Sequence, residues 1–488
     1  MEKSANSSGL HTILDIFAAI SAIPRCSGNE GGIASWLGNW ARDRGFDSST
    51  DQAGNVVIRI PASPGKEGIP PLILQNHMDM VCEKGAQSHH DFTRDMLQLV
   101  VVEDWLSAAG TSLGADNGIG MAIALALAAE KDLRRPALEL LFTVEEETGL
   151  TGAQNLDPSL LRGRRLINID SEKEGLFTIG CAGGENIHLH LPVRRETLPA
   201  DYLTATISVG GLQGGHSGMD IAKGRGNAIR ILAEILTAMM KTVDLRLVSL
   251  TGGTRCNVIP RQAQAVIAFH AAETARLQEQ LAGRADEAAK NLALADPDIV
   301  VVSLSSPAQA QSPVLSLAGE SAAACLRLLL EIPQGVRRLE KNQPPQVATS
   351  NNLAVVRSEE DALKVLSLQR SSRMAELAAL TREIGETAQK LGAGFTTDGR
   401  WPAWEPDPGS ALLRRCVDVY RQTFAVEPAL YVTHGGLECG VLGTKLPGVE
   451  MVSLGPDIEN PHSPGERVLL PSIARVHHFL KALLENLT

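Results

Sequence analysis

Apolar residues recur along this chain in two rhythms, and the switches between them divide it. Residues 12–22 and 32–44 carry apolar positions at helical spacing. NVVIRIP (55–61) is a short strand-like run, and PPLILQNHMDM (70–80) is a second one that ends in polar residues. Residues 116–131, DNGIGMAIALALAAEK, predict a long apolar helix opened by a carboxylate and an amide. ALELLFTV (137–144) and RRLINID (164–170) are further strands, the latter after a helical stretch. This alternation predicts an α/β domain, a mostly parallel sheet with helices on both faces. Ligands of such sheets bind off the carboxyl ends of the strands.

The middle of the chain has another texture. Residues 187–191, 203–209 and 261–271 alternate as half-buried strands do, and 226–240 and 273–293 read as helices. From about residue 401 the first style returns, through LYVTH, GVEMVSLG and a final helix over 473–486. The expected organisation is a discontinuous catalytic domain, 1–185 plus 400–488, with an inserted α+β lid domain over 186–399.

Composition narrows the class. Aromatics are 3% of the 488 residues, so the core must be built from Leu, Ile, Val and Ala. The net charge of −11, without a basic stripe, argues against a nucleic-acid partner and leaves carboxylates free for cations. Asp15 interrupts the apolar N-terminal run, which therefore lacks a signal-peptide core, and no stretch is long enough to span a bilayer. Seven dispersed cysteines without a CxxC pair suggest reduced thiols in a cytoplasmic protein. Cys82 and Cys439 lie near the polar motifs but lack a His/Asn partner signature, and read as packing residues.

The polar residues at the expected strand ends form a set. His77 and Asp79 end one strand, Asp116 opens the following helix, Glu145, Glu146 and Glu147 follow the next strand, and Asp170 the one after. The C-terminal segment adds His434, Glu438 and His462. Each has an ordinary alternative: Asp116 as a helix cap, a glutamate as a solvated loop residue, a histidine as a surface group. Their convergence on one sheet edge is what points to zinc, which takes imidazole and carboxylate ligands.

HMD (77–79), ADNGIG (115–120), EEETG (145–149), NIDSE (168–172), GGHSG (214–218) and NPHSPGER (460–467) resemble the motifs of the two-zinc exopeptidases. That family includes carnosinases, glutamate carboxypeptidases and bacterial dipeptidases. QNHMDMVCEK, HGGLECG and SNNLA (350–354) are most similar to its aminoacyl-histidine dipeptidases. The resemblance runs along nearly the whole chain. It implies two Zn2+ ions, replaceable by Co2+ or Mn2+, one held by His77 and Asp170 and the other by Glu147 and His462, with Asp116 bridging. It makes Asp79 the group that orients His77, Glu146 the general base for a water activated between the ions, and the Asp116–Asn117 peptide cis. It assigns His216 to transition-state stabilisation and implies a homodimer.

Small peptides are the implied substrates. Asn257, Arg370, Gly435 and Gly436 are the candidates for binding them, since a free carboxylate needs an arginine or amide donors and glycine lets backbone approach. Two positions depart from the family pattern: Asn76 stands where relatives tend to carry Gly, and Glu145 where they carry Asp. The expected activity is hydrolysis of unblocked dipeptides, Xaa-His among them. An N-acyl amino acid deacylase or aminopeptidase on the same frame is the alternative hydrolase, and a non-catalytic metal-binding scaffold the alternative of another class. Glu145 is expected to carry no chemistry.

Overall fold

The computed structural model describes residues 2–292, 301–309, 313–340 and 345–488, with side chains described from residue 9 onward except at 301 and 309. The end of the expected helix 273–293 lies outside these residues. The chain forms two compact units, one of Met1–Cys181, Trp404–Val432 and Leu437–Thr488, the other of Ala182–Ala403 and Thr433–Gly436.

The first unit is built on an eight-stranded sheet. Its order is Asp47–Thr50, Val56–Ile60, Leu138–Thr143, Leu72–His77, Arg165–Asn168, Glu450–Ser453, Leu176–Cys181 and Ala429–Thr433. The parallel pairing expected from the βα alternation joins the four central strands, Leu138–Thr143 through Glu450–Ser453. Strands Asp47–Thr50, Val56–Ile60 and Leu176–Cys181 join antiparallel at the flanks. The first two are joined by a short hairpin link, while Val56–Ile60 and Leu176–Cys181 pair with strands distant in sequence, and the apolar rhythm does not encode the direction of such a pairing.

Both faces of the central strands are covered. Leu72, Leu74, Leu138, Leu140 and Phe142 face a core shared with helices Glu2–Ser21, Ala115–Ala129 and Leu470–Asn486. Ile73, Leu141 and Leu166 face the other way, onto Ala153, Cys439 and Leu442. A strand whose consecutive residues enter two different cores reads as a continuous apolar run, which is why these segments do not alternate. Each such leucine contributes about 1.5–3 kcal/mol by leaving water.

Register sets what lies at the carboxyl edge. Leu72 to His77 pair in step with Leu138 to Thr143, and Leu72 to Gln75 with Arg165 to Asn168. His77, the turn after Thr143 and Asp170 therefore leave the sheet side by side.

The second unit is an antiparallel sheet, ten-stranded among the described residues, running through Tyr202–Gly210, Ala263–His270, Leu245–Gly252, Gln346–Ser358, Ala362–Ser371 and Gly183–Pro192. Its alternate apolar residues share one core with helices Ala228–Met239, Thr274–Leu292, Gly319–Glu331 and Met374–Lys390. Helix Ala228–Met239 starts where Asn227 caps it, accepting from the amides of Ile229 and Arg230. Among the described residues, no helix is long and apolar enough to cross a membrane.

The cysteine expectation needs correction. Cys26 and Cys82 form a disulfide, with Cα atoms 5.7 Å apart, so Cys82 is a tether and not a packing residue. The two lie 56 residues apart in sequence, and only the fold brings them together. Cys181, Cys256, Cys325, Cys416 and Cys439 are free thiols.

Gly120 marks the tightest contact of the central helix with the sheet. A β-carbon there would run into Asn76 Nδ2 and the Ile169 carbonyl oxygen. Overpacking of this kind costs about 1–3 kcal/mol or more. Gly120→Ala is expected to lower the thermal midpoint of the first unit by several degrees, while Gly38→Ala, where a β-carbon meets nothing, leaves it unchanged or higher; differential scanning calorimetry of both variants checks this.

Candidate metal centre

The carboxyl edge of the first unit brings His77, Asp116, Glu146, Glu147, Asp170 and His462 together. Three triplets have ligand atoms mutually within 4.8 Å: His77, Asp116 and Asp170; Asp116, Glu147 and His462, which shares Asp116 with the first; and His77, Glu146 and Glu147. His77 Nε2 lies 3.0 Å from Asp116 Oδ1 and 3.2 Å from Asp170 Oδ1. His462 Nε2 lies 3.1 Å from Asp116 Oδ2 and 3.1 Å from Glu147 Oε1. The two oxygens of one carboxylate thus face two different imidazoles, the disposition a bridging ligand needs. Glu147 Oε1 is buried and no donor is aligned on it, although the His462 ring is near. Clustered carboxylates with an unsatisfied buried oxygen suit divalent cations, so this donor set fits the zinc pair the sequence implies.

Asp116 is not a helix cap. It has non-helical φ/ψ (−78°, 107°) within the turn that opens helix Ala115–Ala129, and the N-cap is Gly114. The Asp116–Asn117 peptide is cis, as the family resemblance implies. Asn117 Nδ2 donates to Asp170 Oδ1 and to the Ile169 carbonyl, which fixes the approach of Asp170. Asn76 is fully buried and donates to Asn117 Oδ1, so the departure from Gly adds a link to this network.

Asp79 does more than orient His77. It is wholly buried, and its Oδ1 lies 3.2 Å from His77 Nδ1. It also accepts from Ser27 Oγ at 2.7 Å and from the amides of Glu146 and Glu147 at 3.0 and 3.2 Å. Burial alone would raise its pKa, but the His77 contact, Ser27 and the Glu146 amide outweigh it and hold the carboxyl at about 2. One side chain therefore aims an imidazole and sets the backbone of the glutamate turn.

The three glutamates separate. Glu147 lies against His462, while Glu146 is half-buried beside His77. Burial pushes Glu146 well above the usual carboxylate range against the pull of His77, and Asp170, Glu438 and Glu147 add to the push. Glu145 is half-buried at φ +48°, with its amide donating to Glu30 Oε1. His462 is raised to about 11 by the Asp116 and Glu147 carboxylates against which its ring lies.

His216, Asn257, Arg370, His434, Gly435 and Gly436 belong to the second unit, where several of them meet. Arg370 is 4% exposed, its Nη2 lies 3.4 Å from His216 Nε2, and its guanidinium stacks 5.2 Å from the Trp401 ring centre. No carboxylate among the described residues pairs with it. Burial lowers Arg370 to about 10, which leaves it charged at neutral pH. The loop of His216 is pinned to that of Asn257, whose carbonyl accepts from the Ser217 amide, and the Asn257 side chain is exposed. His434 is buried and pairs with Ser350 Oγ at 2.7 Å, while its Nδ1 has no partner. The Gly435 amide donates to Thr433 Oγ1, and Gly436 lies against the Trp401 indole edge.

Sequence reasoning missed Arg25, Ser27, Glu30, Glu466, Ser350 and Trp401. None sits at the end of an apolar strand, and only Glu466, in NPHSPGER, and Ser350, in SNNLA, lie inside a quoted motif.

The profile described as peptidase family M20/M25/M40 matches residues 73–486. The cytosol non-specific dipeptidase of Escherichia coli (strain K12) is 38% identical over 476 residues, covering 97% of each chain. The crystal structure of aminoacylhistidine dipeptidase from Vibrio alginolyticus superposes with a TM-score of 0.88 at 35% identity, covering 98% of this chain and 96% of that one. Human carnosine dipeptidase 1, at a TM-score of 0.53 and 10% identity over 99% of this chain and 98% of its own, shares the fold.

Burial, then the charges of Arg370 and His216, depress His434 to about 3 from 6.5. Between those values the unfolded chain binds a proton that the folded chain refuses, so stability falls as pH drops from 6.5 toward 3. The thermal midpoint of the protein is expected to fall across this window, and His434→Asn, which can still pair with Ser350, to flatten part of the fall in pH-dependent melting curves.

Proposed function

The chain belongs to peptidase family M20/M25/M40, and from that premise we propose that it is a cytoplasmic metal-dependent dipeptidase with two zinc ions per chain. The observation that carries this reading is the Asp116 carboxylate, shared by two ligand triplets and facing an imidazole with each oxygen. His77 and Asp170 would hold one ion, Glu147 and His462 the other, and Asp116 both. When bound, such a pair supplies Lewis acidity toward a water and toward the scissile carbonyl.

The chain's own groups do the rest. Asp79 receives the Nδ1 side of His77 and so presents Nε2 to the ion. Glu146 takes a proton from the attacking water and returns it to the leaving amine. Burial and the neighbouring carboxylates raise its pKa, and dications held beside it would favour the ionised form a base requires. His216, held neutral by burial and by Arg370 with a pKa of about 4, would donate to the developing oxyanion. The Arg370 guanidinium, with no carboxylate partner among the described residues, supports binding of a substrate carboxylate, with Asn257, Gly435 and Gly436 as further contacts. Unblocked dipeptides, including Xaa-His, are the proposed substrates. The similarity to a cytosol dipeptidase and to an aminoacylhistidine dipeptidase supports that class.

Glu146→Gln is expected to reduce turnover of a dipeptide by about 10²–10⁴-fold, the usual worth of a general base, with two zincs per chain retained. Turnover within tenfold of the parent would remove the base assignment. A chelator is expected to abolish hydrolysis and added zinc, cobalt or manganese to restore it, in an assay that sets carnosine and α-dipeptides beside tripeptides and N-acetyl amino acids. Cleavage confined to the last two would favour the aminopeptidase or deacylase alternative.

A further inference from the structure

Two buried charges from opposite ends of the chain hold the backbone of the metal-ligand loops without touching a ligand side chain. Arg25 is 1% exposed. Its Nη1 donates to the carbonyls of Met78 and Asp79, at 3.0 and 2.9 Å, and its Nη2 donates to the carbonyl of Gly114. The first two carbonyls follow His77 directly, and the third lies two residues before Asp116. Glu466 is 2% exposed and works on the same loop from the other side. Its Oε2 accepts from the amides of Leu113 and Gly114, at 2.7 and 2.9 Å, and its Oε1 from the amide of Asp116 at 3.2 Å. Gly114, at φ +63°, is thus gripped by its carbonyl and its amide together, and a β-carbon on it would collide with Arg25 Nη2 and Met80 Sδ.

We propose that Arg25 and Glu466 are a positioning pair that fixes the distance between the His77 loop and the Asp116 loop, and thereby the affinity of the site for its second metal ion. The inference rests on the reading of His77 and Asp116 as metal ligands. A single planar guanidinium reaches carbonyls on both loops, so neither loop can shift alone; a lysine ammonium carries the charge without that fork. The carboxylate completes the constraint by accepting the amides that the carbonyl contacts leave free. Its placement also matches charge: Arg25 lies among Glu466, Asp79, Asp116 and Glu147, whose fields oppose the effect of its burial. The disulfide at the neighbouring Cys26, which reaches Cys82, adds a covalent tie to the same loop. The test therefore runs in reductant, so that this tie cannot substitute for the guanidinium.

Full-length parent, Arg25→Lys, Arg25→Met and Glu466→Gln are loaded with Co2+, equilibrated by dialysis against graded free metal, and read by metal content and by the visible cobalt spectrum. The parent is expected to bind two ions per chain. Arg25→Met is expected to bind the second ion about 10–100-fold more weakly, the range for groups that orient ligands, with an altered spectrum. Arg25→Lys is expected to recover little of the loss, and Glu466→Gln to shift in the same direction. At saturating metal the KM for a dipeptide stays within twofold of the parent, because neither residue meets substrate. Lowered melting temperatures with metal affinity and spectra like those of the parent would overturn the proposal and leave the site reading intact. A parent that binds no metal would remove the site reading and the proposal with it. If Arg25→Met does not fold, Glu466→Gln, which keeps the shape and one acceptor oxygen, decides by the same two readouts.

Discussion

Like charge gathered in a buried place is the constraint around which the first unit is arranged. Asp116, Glu146, Glu147 and Asp170 meet at one sheet edge with little access to water. Burial drives the carboxyl groups of Glu146, Glu147 and Asp170 up, toward the protonated form, while Asp116 is held low by His462 and His77. A chain gains nothing in stability from such a cluster on its own. Dications held between the carboxylates would offset their mutual repulsion. The cluster is therefore best understood as a site whose electrostatic balance is completed by what it binds.

Holding such a cluster open requires a frame that does not depend on the ligands' own packing. Asp79 supplies part of it by binding the His77 ring and the amides of Glu146 and Glu147 at once. Asn117, Asn76 and the Ile169 carbonyl form another part beneath Asp170. Glu30 anchors the amide of Glu145, and Arg25 and Glu466 fix the loops on either side. These groups are buried and most of their hydrogen-bonding capacity is used, the condition under which polar networks stiffen a site rather than loosen it. The three glutamates of the turn then differ: one carboxyl faces His462, one is half-buried and is the proposed base, and one has its backbone tied to a neighbour.

How much of this was legible depends on the kind of information each residue carries. The central strands were legible because consecutive apolar residues enter two cores, and the candidate residues His77, Glu146, Glu147 and Asp170 because they end or closely follow those strands. The antiparallel flanks were not, since apolar periodicity carries no sign for strand direction. The Cys26–Cys82 bridge was not, because seven dispersed cysteines without a paired motif argue for thiols. Arg25 and Glu466 bind backbone carbonyls and amides, and a partner that is backbone leaves no pattern in the residue types opposite. His434 was noticed as a strand-end histidine, but its placement with Ser350 in the second unit emerges only from the fold.

Anomalous diffraction from crystals of the zinc-loaded protein, recorded on both sides of the zinc absorption edge, tests the central claim most directly. Two peaks are expected per chain, about 3.5–4 Å apart across the Asp116 carboxylate, one beside His77 and Asp170 and the other beside Glu147 and His462. A single peak, or peaks away from Asp116, would contradict the account.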